Sequence, residues 1–196
     1  MKLCKININE LSDEDFERYR MHMSAERRDR FDKFKFDEDK KRSLCGYTLA
    51  VRTLSEMSGL AESDIVISED GNGKPFCENS DLHFSISHSG DFAVCAVGDR
   101  PIGVDIEQIR KVNMQSARRF ASEKELIYIF GHLPEKADFE IEHTDTLERF
   151  FEVWTKKEAY GKMIGSGICY DMKNEDISDA VCFSEDGYII AVCERE

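Results

Sequence analysis

The chain has 196 residues, a formal net charge of −13 and 41% hydrophobic residues. This length suffices for one domain or two small ones packed closely, and the apolar fraction is typical of a globular rather than a disordered protein. No apolar run reaches the roughly 18 residues of a transmembrane helix, and the N-terminus lacks a signal peptide's apolar segment. We therefore expect a cytoplasmic protein with no membrane partner. The negative charge argues against nucleic acid as a general partner.

The sequence of the first half predicts an edge strand, two helices and then three short strands. Residues 1–8 predict an edge strand, and Ser12 is placed to cap a polar helix that ends near residue 24. Residues 27–42 contain RRDRFDKFKF and KKR, the candidate basic pocket that an anionic ligand would need in so acidic a protein. A long helix is predicted over 37–58, with Gly59 as its stop. Three short strands are then predicted around 65–67, 82–87 and 92–98.

The second half predicts a buried strand at 102–109, one helix near 115–130, a loop or helix start over 131–145, and the longest helix over 146–164. The chain ends in a predicted hairpin with Asp186-Gly187 at its turn. Helices and strands do not alternate regularly, so an α+β fold is preferred over a doubly wound sheet.

The seven cysteines are scattered, odd in number and without a CxxC pair. Most of them have apolar neighbours, as in AVCAV and YIIAVCE, which is typical of buried reduced thiols. No group of Cys and His residues has the spacing of a zinc site, so zinc is not expected.

Three acidic residues are candidates for one cluster. Asp105 and Glu107 lie two residues apart in the buried strand and should project from one face, about 7 Å apart. Glu158, on the long helix, is the expected third member. Oxygen ligands suit Mg²⁺, and unpaired carboxylates beside a buried strand are costly without a cation. For the DxE pair alone, a solvated strand end is the alternative.

The long helix places further side chains beside this cluster. Trp154, Lys157, Glu158 and Lys162 follow helical spacings of three and four and fall along one stripe. An exposed ion pair between Glu158 and Lys162 is the plainer interpretation. Carboxylates with lysines nearby are, however, what a Mg²⁺-bound pyrophosphate requires. The sequence therefore points to an enzyme that makes or breaks a phosphoryl bond.

Five short motifs follow one another along the chain: GNGKP (71–75), FSISHSG (84–90), GVDIE (103–107), RRFASEKE (118–125) and FEVWTKKEAYGK (151–162). Together they resemble, in the same order, those of the phosphopantetheinyl transferases of the surfactin-synthetase-activating type. The resemblance covers roughly residues 25–170. One difference is visible, because Ser85 stands where that family often has Asn.

The resemblance implies a monomer made of two similar α+β halves related by pseudo-twofold symmetry. Residues 1–100 would hold the 3′-phosphate and adenosine side of coenzyme A, and residues 101–196 the metal-binding and catalytic motifs. The implied reaction is Mg²⁺-dependent. It transfers the 4′-phosphopantetheine arm of coenzyme A to a serine of an apo acyl or peptidyl carrier protein and releases adenosine 3′,5′-bisphosphate.

The resemblance also implies roles for individual residues. Arg27, Arg30, Arg42 and His88 would grip the 3′-phosphate, and Lys74 with Pro75 would contact the adenosine end. The metal ligands would be Asp105, Glu107 and Glu158, which with Lys162 form the catalytic set. The complete expected set for coenzyme A is Arg27, Arg30, Arg42, Lys74, Pro75, Ser87, His88, Lys157 and Lys162.

Carrier proteins are generally acidic, as this chain is, so docking should depend on a local apolar patch. The segment from Met114 to Phe130 is the candidate, with ordinary helix packing as its alternative. Two other functions stay open. A Mg²⁺-dependent nuclease or nucleotide hydrolase would use the same carboxylates and lysines, and a non-catalytic coenzyme A binder would not need three of them.

Overall fold

The computed structural model describes residues 1–135, 140–166, 173 and 175–195. Its helices are α1 (Asp13–His22), α2 (Ala25–Asp32), α3 (Asp37–Ser58), α4 (Met114–Phe120), α5 (Glu123–Phe130) and α6 (Thr144–Ile164). The strands of the first half are β1 (Lys2–Asn7), β2 (Ile67–Glu69), β3 (Pro75–Cys77), β4 (His83–Ser89) and β5 (Phe92–Gly98). Those of the second half are β6 (Ile102–Gln108), β7 (Val112–Asn113), β8 (Glu140–Ile141), β9 (Val181–Glu185) and β10 (Tyr188–Glu194).

Two three-stranded sheets repeat one topology. The first has the order β1-β5-β4 and the second β6-β10-β9, with every neighbouring pair antiparallel. In each half the chain runs strand, long helix, strand, strand, and the last strand takes the central position. The expected α+β fold of two similar halves is therefore confirmed.

The sheets lie face to face between the two long helices. Ala93, Cys95 and Val97 of β5 join helix α3 in one apolar cluster. The alternate residues of β5 pack instead against β6 and β10 in a second cluster, which includes Val94 and Val104. The other face of the second sheet packs on α6. Strand β6 is thus covered on both sides, which explains why its residues 102–106 are all buried.

Serine side chains join the adjacent edges of the two sheets. Ser85, Ser87 and Ser89 alternate along β4 and share the face that meets β6. Ser85 Oγ accepts the backbone N–H of Val104, and Ser89 Oγ accepts that of Gln108, both at 3.1 Å. These hydroxyls supply partners for backbone donors at the edge of β6. The Ser at position 85 therefore has a clear structural role.

Several local expectations are confirmed. Ser12 caps α1, α3 spans 37–58, and Gly59 ends it in the left-handed conformation. The hairpin turn at Asp186-Gly187 has positive φ at both residues, as a tight primed turn requires. The six cysteines among the described residues are free thiols, and Cys169 lies outside them.

The single helix expected near 115–130 is wrong. The structure has two helices, α4 and α5, separated at Ala121 and Ser122. Ser122 caps α5, with its backbone N–H donating to Glu125 and its hydroxyl accepting from the Glu125 backbone. This Ser-x-x-Glu capping box competes with helix continuation. The short β7–β8 pair is also not among the predicted elements. Residues 136–139 of the predicted loop or helix start over 131–145 lie outside the residues that the structure describes.

No helix in the part of the chain described here is long and apolar enough to cross a membrane.

Gly103 allows β6 and α6 to approach closely. A Cβ atom at this position would lie 1.9 Å from the carbonyl oxygen of Ala159 and 2.5 Å from the backbone nitrogen of Met163. Both contacts are with helix backbone, which cannot rotate away as a side chain does. The glycine of GVDIE therefore determines how near the helix lies to the acidic strand.

We expect Gly103→Ala to lower the free energy of unfolding by about 2–3 kcal/mol, because the added methyl group must push α6 away from β6. Urea denaturation measures the loss. Gly71→Ala is the matched control, since nothing lies within 4 Å of a Cβ there. A Gly103→Ala protein as stable as the control would contradict this account of the contact.

Candidate active site

Asp105 lies at the centre of the acidic cluster. Its side chain is buried, and its Oδ1 accepts hydrogen bonds from Ser87 Oγ and Lys162 Nζ, both at 2.7 Å. Its Oδ2 is buried without a hydrogen-bond partner. Burial raises the pKa of this carboxyl group, while Lys162 and the hydroxyl of Ser87 act in the opposite direction. The charge of Asp105 is thus only partly compensated.

Glu107 is held by three donors. Its Oε1 accepts from Trp154 Nε1 at 3.2 Å, and its Oε2 accepts from Ser89 Oγ at 3.2 Å and Arg110 Nη1 at 2.9 Å. The indole of Trp154 packs edge-on against Phe120, with ring centroids 4.9 Å apart. Trp154 therefore orients an acidic side chain as well as packing helix α6.

Glu158 comes to the same place from α6. It is half-buried, and its pKa is raised first by burial and then by the charge of Asp105, with a smaller effect from Glu107. Lys162 opposes this rise. The structure therefore brings Glu158 close enough to Asp105, Glu107 and Lys162 for their charges to interact.

Across the described ranges, no three His, Cys, Asp or Glu side chains are arranged closely enough to hold a metal ion. In this arrangement the ammonium of Lys162 forms an ion pair with Asp105. The donor set still fits Mg²⁺ chemically, because it consists of carboxylate oxygens and one of them is buried without a partner. A divalent cation there would favour the charged form of Glu158, whose pKa is raised first by burial and then by the charge of Asp105.

A pocket of about 380 Å³ adjoins this cluster. Five of the predicted coenzyme A residues line it, and Ser87 and Lys162 also contact Asp105. The pocket is therefore continuous with the carboxylates. The five lining residues are Arg27, Pro75, Ser87, His88 and Lys162.

Two predicted arginines share one acidic partner. Arg27 lies over the ring of Tyr47, 5.1 Å from its centroid, and is 3.3 Å from Glu69 Oε1. Arg30 donates two hydrogen bonds to the carboxylate of Glu69, at 2.6 and 2.7 Å. Glu69 itself lines the pocket. The cationic wall of the pocket thus includes a carboxylate that the sequence did not identify.

Arg42 lies on the His88 side of the pocket. It donates to the carbonyl oxygen of Gly90 at 3.0 Å and to Asp39 at 2.8 Å. The pKa of His88 is lowered, first by desolvation of a ring that keeps some solvent contact, then by the charge of Lys162 and to a lesser extent by that of Arg42. The charges of Lys162 and Arg42 beside this ring favour the binding of an anion.

The ammonium groups of Lys74 and Lys157 are directed elsewhere. Lys74 Nζ donates to the carbonyl oxygen of Met163 at 2.6 Å, at the C-terminal end of α6. Lys157 is fully buried and pairs with Glu125 of α5 at 2.9 Å. Both lysines therefore fix helix α6, and the structure does not bring Lys157 to the pocket. The ammonium of Lys74 also interacts favourably with the dipole of α6, because it lies at the C-terminal end of that helix.

Sequence reasoning missed Ser89, Arg110 and Glu69 as parts of this site. The alternation of serines along β4 was a signal for Ser89, and the spacing of three from Glu107 was a signal for Arg110. Glu69 carried no signal, because it meets Arg27 and Arg30 only through the folding of β2 onto α2.

Known proteins resemble this chain along both of its halves. A family model described as 4′-phosphopantetheinyl transferase, N-terminal, matches residues 10–99, and one for the 4′-phosphopantetheinyl transferase superfamily matches residues 101–193. The 4′-phosphopantetheinyl transferase psf-1 of Bacillus pumilus is 33% identical over 192 residues, which cover 95% of this chain and 77% of that protein. Sfp of Bacillus subtilis (strain 168) is 35% identical over 170 residues, covering 86% and 72%. HetI of Nostoc sp. is 32% identical over 171 residues, covering 83% and 67%.

Similarity of this extent, across both halves of the chain, shows that the protein belongs to the 4′-phosphopantetheinyl transferase superfamily and is a transferase of the Sfp-like type.

Proposed function

We propose that this protein transfers the 4′-phosphopantetheine arm of coenzyme A to a serine of an apo acyl or peptidyl carrier protein, using Mg²⁺ and releasing adenosine 3′,5′-bisphosphate. One observation carries the proposal. Lys162 lines the basic pocket and also pairs with the buried Asp105. A ligand with a phosphate at one end and a diphosphate in the middle suits a cationic pocket that continues into a carboxylate cluster.

The first half would bind the nucleotide end. Arg27, Arg30, Arg42 and His88 are proposed for the 3′-phosphate, because guanidinium forks bind phosphate oxygens in pairs. Pro75, which lines the pocket, is proposed for the adenosine end. The backbone of Lys74 adjoins it in the same turn, although its ammonium contacts helix α6.

The second half would bind the diphosphate. Asp105, Glu107 and Glu158 are the proposed Mg²⁺ ligands, and the ion would neutralise charge on the diphosphate oxygens. Lys162 is proposed to stabilise the charge that develops on the departing α-phosphate. Transfers of this kind depend mostly on positioning and charge neutralisation, which Ser87 and Trp154 support by orienting Asp105 and Glu107.

The reaction would exchange one phosphorus–oxygen bond for another. The carrier serine oxygen bonds to the β-phosphorus while the bond from that phosphorus to the bridging oxygen breaks, and the α-phosphate leaves with the nucleotide. The proton of the serine hydroxyl needs an acceptor. Asp105 and Glu107 already accept hydrogen bonds from two or three donors each, so Glu158 is one proposed acceptor, and a water molecule at the metal site is the other.

The carrier protein is proposed to dock on the segment from Met114 to Phe130. Three large apolar side chains on and just after α5 are about half exposed: Ile127 (48%), Tyr128 (51%) and Leu133 (48%). Both partners are expected to be acidic, so an apolar contact avoids the repulsion that a charged interface would create.

Incubation with coenzyme A, Mg²⁺ and an apo carrier should add the mass of one phosphopantetheine arm to the carrier, measured by intact-protein mass spectrometry. Chelation with EDTA should stop the gain, and added Mg²⁺ should restore it. Release of nucleotide without any change in carrier mass would contradict transfer and favour hydrolysis.

Glu158→Gln should lower kcat for carrier loading by at least about 100-fold, because a proton acceptor and a proposed metal ligand are both lost. Glu148→Gln removes a carboxylate from the same helix at a position outside the site and should leave the rate unchanged. Equal rates for the two variants would remove Glu158 from the reaction.

Arg42→Ala should raise the KM for coenzyme A about tenfold while changing that for dephospho-coenzyme A little, since only the former carries the 3′-phosphate. Initial rates of carrier loading with each substrate measure the two constants. Lys41→Ala, its exposed neighbour on α3, is the control. Parallel changes with both substrates would reject the 3′-phosphate role.

A further inference from the structure

The carboxylate of Glu69 contacts two arginines, Arg27 and Arg30, that the proposed function assigns to a phosphate. It lines the pocket, its side chain is only 24% exposed, and it accepts two hydrogen bonds from Arg30 and lies 3.3 Å from Arg27. The two Arg30 bonds form the paired arrangement in which an arginine also binds phosphate oxygens. Arg30 holds the pKa of Glu69 below its ordinary value, so this carboxylate is charged at neutral pH.

An incoming phosphate and the Glu69 carboxylate would compete for the same donors. The fork that Arg30 offers to Glu69 cannot be offered in full to a second anion, and two anions at contact distance repel each other. The phosphate must therefore either separate Glu69 from the arginines or bind beside it with fewer hydrogen bonds and an unfavourable charge contact.

The two arginines differ in their freedom to respond. Arg27 is largely buried, with 20% of its side chain exposed, and lies over the ring of Tyr47, so its guanidinium stays in the pocket wall. Arg30 is 52% exposed and can turn with little change in packing. Release of Glu69 would thus leave Arg27 in position and free Arg30 to close on the phosphate.

We infer that Glu69 is a specificity-determining residue, an internal competitor that takes the place of the 3′-phosphate in the free protein and weakens the binding of coenzyme A. This inference rests on the proposed function, because it assumes that the pocket receives that phosphate. The opposite role would be that Glu69 orients the arginines for the ligand, and the two roles predict opposite effects of neutralising this residue.

The test compares the binding of adenosine 3′,5′-bisphosphate to the wild-type protein and to Glu69→Gln. Isothermal titration calorimetry measures both dissociation constants. We expect the variant to bind about fivefold more tightly, the scale of one partly exposed charge contact. Adenosine 5′-monophosphate, which lacks the 3′-phosphate, should bind both proteins equally. The KM for coenzyme A in carrier loading should fall in parallel.

Glu78→Gln is the matched control. It removes a carboxylate immediately after β3, where Glu78 contacts Ser68 and not the pocket, and should change neither affinity. Thermal denaturation establishes that each variant is folded. Glu69→Thr, a residue suited to a strand, provides a second neutral variant if Glu69→Gln is unstable.

Unchanged or weaker binding of the bisphosphate by the folded neutral variants would overturn the inference and, if weaker, favour the orienting role. Such a result would leave the proposed function intact if the wild-type protein still loads a carrier. A wild-type protein that loads no carrier would instead remove the proposed function, whatever Glu69→Gln does to nucleotide binding.

Discussion

The ion pair between Lys162 and the buried Asp105 connects the pocket of this protein with the acidic cluster beside it. A carboxylate removed from water needs a cation or strong hydrogen bonds, and Asp105 obtains both from Lys162 and Ser87. These three residues belong to β6, α6 and β4, so the requirement brings a strand and a helix of the second half together with a strand of the first. Gly103 makes the arrangement possible by letting the backbone of α6 approach β6.

The two halves share a topology but carry opposite charges into the cleft between them. Arg27, from the first half, lines the pocket, whereas Asp105 and Glu107 of β6 form its acidic continuation. The fold brings together side chains of like charge from different parts of the chain. The net charge of −13 does not indicate where these local clusters lie. The repeated strand–helix–strand–strand unit thus supplies a common scaffold, and substitutions at the facing edges give each half a different chemistry.

In the free protein the charges of the site are paired internally. Glu69 pairs with Arg30, Lys162 with Asp105, and Arg110 with Glu107. Ligand binding at such a site is an exchange of ionic partners, and its free energy is the difference between the contacts made and those given up. Affinity then depends on residues such as Glu69 that need not touch the bound ligand at all.

Local sequence is sufficient to predict the elements whose signals come from neighbouring residues. Helix α3 and strand β5 were predicted at their observed bounds, because apolar periodicity and a glycine stop depend on neighbouring residues only. The two-residue spacing of Asp105 and Glu107 also sufficed to place them on one face of β6. The break before α5 is not predicted, although Ser122 and Glu125 carry its signal, because the helical periodicity on both sides indicates one continuous helix.

The pairing of side chains that lie far apart in the chain depends on the tertiary structure. Lys157 and Lys162 stand on one helix, five residues apart, yet the first pairs with Glu125 in the core and the second with Asp105. Their different roles follow from what packs against each side of α6. The carboxylate of Glu69 likewise meets Arg27 and Arg30 only because the fold places β2 beside α2. The partner of a charged side chain is set by which elements pack together, and the local periodicity of the sequence does not predict that packing.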